Sequence, residues 1–155
     1  MKSGEIIRII VCVLISLVLI FYLQPLLYQN RLIRVSDVPL TTWISDYYTV
    51  GGWFVFGSSL GATLIWTFMT ARAKATGALD VFRWRVVWGL LALLPIVGIC
   101  IALYFFNESD DALITLTGFF ILDAVLLYWL PTVTSSPGLF RNIPPGSSFI
   151  RRLIG

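Results

Sequence analysis

Residues 112–130 form an apolar run long enough to cross a bilayer as a single helix, and the run carries one carboxylate, Asp123, near its middle. A hydrocarbon core about 30 Å thick is crossed by roughly 20 apolar residues in an α-helix. An ionised carboxylate at that depth costs about 2.5–3.5 kcal/mol on insertion scales. The chain must therefore supply groups that satisfy Asp123.

The remaining sequence is equally typical of a membrane protein, since 58% of its 155 residues are hydrophobic and only 12% are charged. Soluble domains are about 25% charged. The apolar runs predict an all-α membrane protein in which four transmembrane helices pack as a small bundle within residues 1–130. The predicted spans cover about 6–27, 48–69, 86–106 and 112–130.

Two segments outside these spans are predicted to be less regular. Residues 30–46 are a polar connector that could contain a short helix on the membrane surface, with Trp43, Tyr47 and Tyr48 at the interface. Residues 131–155 are broken by prolines and glycines, which predicts an irregular cytoplasmic tail.

Basic residues indicate the orientation in the membrane. Nine of the eleven Lys and Arg residues flank one side of the predicted bundle, and only Arg31 and Arg34 lie on the other. The positive-inside rule then places both termini in the cytoplasm. We expect an integral protein of a bacterial plasma membrane or a thylakoid membrane.

Several functional classes are excluded by composition. The chain has no histidine, which removes bis-histidine haem ligation, Ser-His hydrolysis and most zinc chemistry. Both cysteines lie inside apolar runs, which argues against a disulfide or redox pair. Basic residues in small groups at span ends do not predict a nucleic-acid surface. We therefore expect no enzymatic activity, no cofactor and no metal.

The surroundings of Asp123 are predicted by aligning the spans at their centres. This alignment places four other groups at its depth, namely Ser16, Ser58, Ser59 and Pro95. Pro95 has no N–H to give the carbonyl of Leu91, four residues earlier. We expect a neutral Asp123 that donates to this carbonyl and accepts from Ser58 or Ser59, forming a buried polar cluster.

Three roles for this acid remain open. The favoured role is a hydrogen bond that locks helices together. The others are a contact with another subunit's helix and a part in conduction or ion coupling, which usually requires a chain of polar groups leading to water.

The second span contains a strip of small residues that includes Gly57, Gly61 and Ala62. Glycines at this GxxxG spacing allow helix backbones to approach closely. We predict helix packing within the monomer here, with Pro95 among the packing residues. A subunit interface and an ordinary abundance of glycine are the alternatives.

Basic and apolar residues near the membrane surface are candidates for docking. Anionic lipid headgroups attract basic residues by about 1 kcal/mol each, although orientation alone accounts for these positions. The tail ends in an apolar, basic segment suited to a membrane surface or a partner protein. The docking candidates are Arg72, Lys74, Arg83, Arg85, Phe149, Arg151 and Arg152.

These patterns favour a non-enzymatic integral membrane scaffold or accessory subunit of a bacterial-type membrane protein complex. It would dock a partner through its helix faces and its basic tail, in contact with membrane lipids, with self-association as another possibility. The first alternative is a homo-oligomeric channel or pore-forming effector. The second is a small proton-coupled carrier that uses Asp123.

Overall fold

The structure, a computed structural model, describes residues 3–36, 38–73, 78–106 and 109–154. These residues form an all-α fold without strands, which confirms the predicted fold class. Four helices are long and apolar enough to cross a membrane. We call them spans 1 to 4, and they comprise Ser3–Gln29, Leu40–Arg72, Ala78–Phe105 and Asp110–Ser135. A 3₁₀ turn, Gly138–Asn142, and a terminal helix, Ser147–Ile154, follow.

Spans 1 and 4 extend further than predicted because two prolines do not end their helices. Span 1 continues beyond Pro25 to Gln29, and span 4 continues beyond Pro131 to Ser135. Both prolines occupy the first turn of a new α-helical segment, where a missing N–H is tolerated.

The predicted surface helix between the first two spans is wrong. Span 2 begins at Leu40, directly after Pro39, and includes both Trp43 and Tyr48. The side chains of Trp43 and Tyr48 are fully buried instead of lying at a membrane interface. They pack against Tyr28 of span 1, with ring centroids 4.6 and 5.8 Å away.

The α-helical pattern changes to π-helical turns at three places in the described residues: Leu19–Leu23, Trp43–Tyr48 and Val125–Trp129. The first and third turns each end two residues before a proline, Pro25 or Pro131. A proline ring clashes with the carbonyl four residues earlier, and a widened turn relieves this clash. The sequence thus accounts for two of the three turns.

The carbonyl of Ile20 loses its backbone donor in the first π-helical turn. The N–H of Gln24, which would bind it in an α-helix, donates to Leu19 instead, and Pro25 has no N–H. The Tyr48 hydroxyl lies 2.9 Å from the Ile20 carbonyl oxygen and donates to it. Span 2 therefore satisfies a carbonyl that proline has freed in span 1.

A related arrangement occurs in span 4. The carbonyl of Leu127 lies four residues before Pro131, which has no N–H to give it. The Thr63 hydroxyl donates to the Leu127 oxygen at 2.5 Å. Because an unsatisfied carbonyl costs several kcal/mol in lipid, these hydroxyls of span 2 stabilise both interrupted helices.

Spans 1 and 4 pack antiparallel with a repeat of four residues. Ile20 shares a buried cluster with Leu127. One turn further, Gln24 bonds to Asp123, and beyond it the rings of Tyr28 and Phe119 lie 6.1 Å apart. A straight α-helix rotates about 40° for every four residues, so a π-helical turn helps to keep these positions on one face.

The small-residue strip of span 2 does not pack within the monomer as predicted. A Cβ atom added to Gly57 or Gly61 would meet no atom within 4 Å. The close approach is made instead by Ser58, whose Oγ occupies the space that a Cβ on Gly98 of span 3 would need. The other two predicted packing residues, Ala62 of span 2 and Pro95 of span 3, are buried.

We call the end of the bundle where spans 1 and 3 begin the basic end. There, Arg8 Nη1 donates to the Thr134 carbonyl at 2.8 Å. Beside it, the rings of Trp66 and Trp84 lie 5.9 Å apart.

The tail is more ordered than the predicted irregular segment over residues 131–155. Residues 131–135 belong to span 4, and the following chain folds against the basic end. Phe140 and Ile143 are buried there in a cluster with Trp66. The Trp129 indole N–H also donates to the Pro145 carbonyl at 2.9 Å. Burial of apolar side chains therefore holds the tail on the bundle.

Thr63→Val should destabilise the fold by about 1–2 kcal/mol, because it removes the donor to Leu127 while preserving side-chain shape. Thermal unfolding in mild detergent measures this loss. Thr63→Ser keeps the hydroxyl and should retain most of the stability. Thr67→Val, one turn along at a half-buried position, is the matched control. Equal stability of the two valine variants would contradict the role of the hydroxyl.

Candidate functional site

The candidate site is a buried triad of polar side chains, Asp123, Gln24 and Tyr48, contributed by spans 4, 1 and 2. Asp123 is completely buried and Gln24 is 2% exposed. Asp123 Oδ1 accepts a hydrogen bond from Gln24 Nε2 at 2.9 Å. Gln24 Oε1 accepts from the Tyr48 hydroxyl at 2.5 Å. The triad therefore links three of the four spans in the bundle interior.

Two proton arrangements fit the heavy-atom distances of the triad. With the Gln24 amide as assigned, the single Tyr48 hydroxyl proton faces two acceptors, Gln24 Oε1 and the Ile20 carbonyl. Amide nitrogen and oxygen have nearly the same shape and are assigned from their partners. With the amide reversed and Asp123 protonated, Asp123 donates to Gln24, Gln24 donates to Tyr48, and Tyr48 donates to the Ile20 carbonyl. A neutral acid therefore leaves the Tyr48 proton with a single acceptor, while Asp123 Oδ2 has no partner in either arrangement.

Aromatic rings pack beside this triad. The ring of Tyr48 itself lies 5.7 Å from Trp43 and 6.1 Å from Phe120. Tyr28, Trp43 and Phe120 belong to the same fully buried cluster. Close packing of large rings keeps water away and strengthens the hydrogen bonds within the triad.

All three π-helical turns lie next to the triad along the chain. Gln24 follows the first turn, Tyr48 closes the second, and Asp123 comes two residues before the third. Turns of this kind are frequent at functional sites because they redirect side chains within a helix. Here they accompany the only Asp–Gln–Tyr hydrogen-bond chain among the described residues.

The predicted partners of Asp123 are wrong. Ser58 donates to the Val55 carbonyl at 3.2 Å, within its own helix. The hydroxyls of Ser16 and Ser59 are buried without a hydrogen-bond partner, as is Asp123 Oδ2, so no bond to Leu91 forms either. Leu91 packs instead at the cluster around Trp66. Asp123 is thus tied to span 1, and the structure does not form the predicted cluster between spans 2, 3 and 4.

Sequence reasoning missed Gln24 and Tyr48. The predicted first span, 6–27, includes Gln24 near its end and gives it no partner. A usable signal in the sequence is the spacing of Cys12, Ser16 and Gln24 at multiples of four residues in an otherwise apolar run, and the structure buries all three. Tyr48 had no comparable signal, since tyrosine near a predicted span boundary normally indicates the membrane interface.

The docking candidates lie apart from the triad, toward the basic end and the tail. Arg72 places its guanidinium 3.9 Å from the centroid of the Phe68 ring. Arg83, Arg85 and Arg152 are exposed, and Phe149 is 65% exposed. Lys74 and the side chain of Arg151 fall outside the described residues.

The described residues contain no group of three or more His, Cys, Asp or Glu side chains that could hold a metal ion. Cys12 is buried and Cys100 is exposed, and both are free thiols. The chemistry of the candidate site therefore rests on hydrogen bonding by Asp123, Gln24 and Tyr48.

Comparisons with protein-family models, with curated proteins and with solved structures found no match to this chain.

Gln24→Leu should lower stability by about 1–3 kcal/mol, because it leaves the buried Asp123 without its donor. Gln29→Leu, on an exposed position of the same span, is the control. The double variant Gln24→Leu with Asp123→Leu should recover much of the loss, since replacing both partners removes the unsatisfied group. Unfolding curves of the four proteins test this order. An additive loss in the double variant would contradict coupling between the two residues.

Proposed function

We propose that this chain is a non-enzymatic accessory subunit or scaffold in a bacterial-type plasma or thylakoid membrane, with both termini in the cytoplasm. Its task is to dock a partner protein within the membrane. The placement of basic residues supports the orientation, and the distribution of polar and small residues supports the role.

The bundle interior supports a structural role for the acid. Asp123 and Gln24 bind each other, and Tyr48 binds Gln24, so their polar groups are largely used inside the chain. A network of this kind fixes the register of three helices. The triad therefore serves as an internal lock that keeps the outer faces in a defined arrangement.

The observation that carries the proposal is the outward orientation of Gly57 and Gly61. Both leave open space on the lateral surface of span 2. Exposed bulky side chains border them, namely Trp53, Phe54, Leu64, Ile65 and Phe68. This shape is a shallow groove with a glycine floor and apolar rims.

A single transmembrane helix of a partner protein suits this groove. Lipid tails are as apolar as the rims, so helix association in a membrane depends on close backbone approach and packing. Gly57 and Gly61 are one helical turn apart, so a partner helix can approach closely along this whole turn. An interface of this type requires no polar group, in agreement with the apolar rims.

Gly61→Leu should abolish co-purification of the partner in mild detergent, because the added side chain fills the groove floor. Gly118→Leu is the matched control, since Gly118 of span 4 also has nothing within 4 Å of an added Cβ. An added Cβ at either position meets no atom within 4 Å, so both variants should fold. Native mass spectrometry identifies what remains bound.

Two outcomes would contradict this function. If both leucine variants retain the same companions, the glycine groove is not the docking face. If the wild type carries only further copies of itself and Gly61→Leu makes it monomeric, a homo-oligomer replaces the accessory subunit.

A small proton-coupled carrier is the second candidate, and one observation favours it. Asp123 Oδ2 is buried without a partner, as are the hydroxyls of Ser16 and Ser59. Unsatisfied polar groups inside a membrane bundle are costly and can mark a site that a substrate or proton completes.

Carbodiimide labelling separates the two candidates. Under the accessory-subunit proposal, Asp123 should stay unlabelled in folded protein because it is fully buried, whereas the exposed Asp110 and Asp111 remain accessible. Mass spectrometry of the labelled peptides measures this, with Asp123→Asn as the control. Labelling at Asp123 that a transported compound prevents would favour the carrier.

A further inference from the structure

A cleft of about 550 Å³ lies at the basic end, between the start of span 3 and the turn that leads into the terminal helix. Arg85 and Trp88 come from span 3, and Asn142, Ser147 and Ser148 come from the tail. The remaining lining residues are Gly89, Ile143, Pro144, Pro145 and Gly146. The cleft therefore combines one cation and several hydrogen-bonding groups with an apolar wall.

We propose that this cleft binds the phosphate group of an anionic phospholipid headgroup. The inference goes beyond the proposed docking function and uses a different part of the molecule. It is independent of the glycine groove of span 2, so either can fail without the other.

The cleft has the chemistry of an anion site. Arg85 contributes the charge, and none of the residues that line the cleft is acidic. The terminal helix starts at Ser147, so its dipole favours an anion at this end, while the amides of Ser147 and Phe149 already donate to the carbonyls of Pro144 and Gly146. Arginine recurs in phosphate recognition because its guanidinium presents fixed N–H donors.

A second and independent observation concerns the burial and hydrogen bonding of Ser147. This residue is only 5% exposed, and it lines the cleft. Its hydroxyl makes no hydrogen bond to another described residue and, unlike the hydroxyls of Ser16 and Ser59, its oxygen is not completely enclosed. The amide of Ser147 is already used by the Pro144 carbonyl at 3.2 Å. The hydroxyl is thus available to an acceptor inside the cleft.

The surroundings favour a lipid as the source of the phosphate. The cleft lies where a membrane-crossing helix begins, and Trp88 and Trp129 stand beside it with their N–H groups bonded to Thr132 and Pro145. The terminal helix next to the cleft exposes Phe149. Amphipathic helices with exposed aromatic and basic residues rest at the headgroup level of a bilayer. A headgroup could enter the cleft while its acyl chains stay in the membrane.

The test uses the purified full-length protein in mild detergent, titrated with phosphatidylglycerol and followed by native mass spectrometry. We expect a saturable site for one lipid, and Arg85→Gln should weaken it roughly five- to tenfold. Asn142→Ala should weaken it in the same direction. Arg72→Gln, an exposed arginine outside the cleft, should change the affinity less than about twofold. Both residues exchanged in the cleft are exposed, so these variants should fold.

Two further probes distinguish the possible sources of phosphate. Zwitterionic phosphatidylcholine should bind more weakly, and glycerol 3-phosphate should not displace phosphatidylglycerol at comparable concentration. Equal effects of Arg85→Gln and Arg72→Gln would overturn the proposal in favour of diffuse charge attraction. Tight binding of glycerol 3-phosphate would overturn the lipid source, and a lack of saturation would overturn the site itself.

Discussion

The bundle depends on hydrogen bonds that two hydroxyl groups of span 2 donate to backbone carbonyls in the proline-interrupted spans 1 and 4. Pro25 and Pro131 each remove a donor inside an apolar helix, and lipid offers no water in its place. Tyr48 and Thr63 provide the missing donors to Ile20 and Leu127. Span 2 is consequently the most buried of the four spans. The interrupted helices can remain within a membrane because this helix lies beside both.

The triad follows from the same contacts. Once Tyr48 is directed at Ile20, its oxygen is also within reach of Gln24, one turn further along span 1. The antiparallel packing of spans 1 and 4 then brings Gln24 to Asp123. Oδ1 of the buried carboxyl group is therefore bound by a residue whose position is already fixed by the proline-linked hydrogen bonds. This coupling explains why the acid needs no basic partner.

The fold class and the number of spans could be predicted because apolar length and sparse charge are properties of the sequence alone. The partners of Asp123 could not, because they depend on the relative depth of helices. Aligning spans at their centres placed Ser58 beside the acid, whereas the real packing directs it at Gly98. The rule about the carbonyl four residues before a proline is applied to Pro95 in the prediction, whereas the structure shows it at Pro131; at Pro25 the π-helical turn frees the carbonyl five residues earlier, that of Ile20.

Exposed and buried features divide the molecule into parts with different roles. The polar side chains of the triad lie in the interior, where Asp123 and Gln24 are bound to each other. The outer face of span 2 instead presents Gly57 and Gly61. This face is apolar like the lipid tails, so only its shape distinguishes it from them. In our proposals a partner helix contacts the face with Gly57 and Gly61, and a lipid headgroup enters the cleft at the basic end, so the two sites are separate. The triad fixes span 2 against spans 1 and 4, and thereby sets the orientation of the face that carries the two glycines.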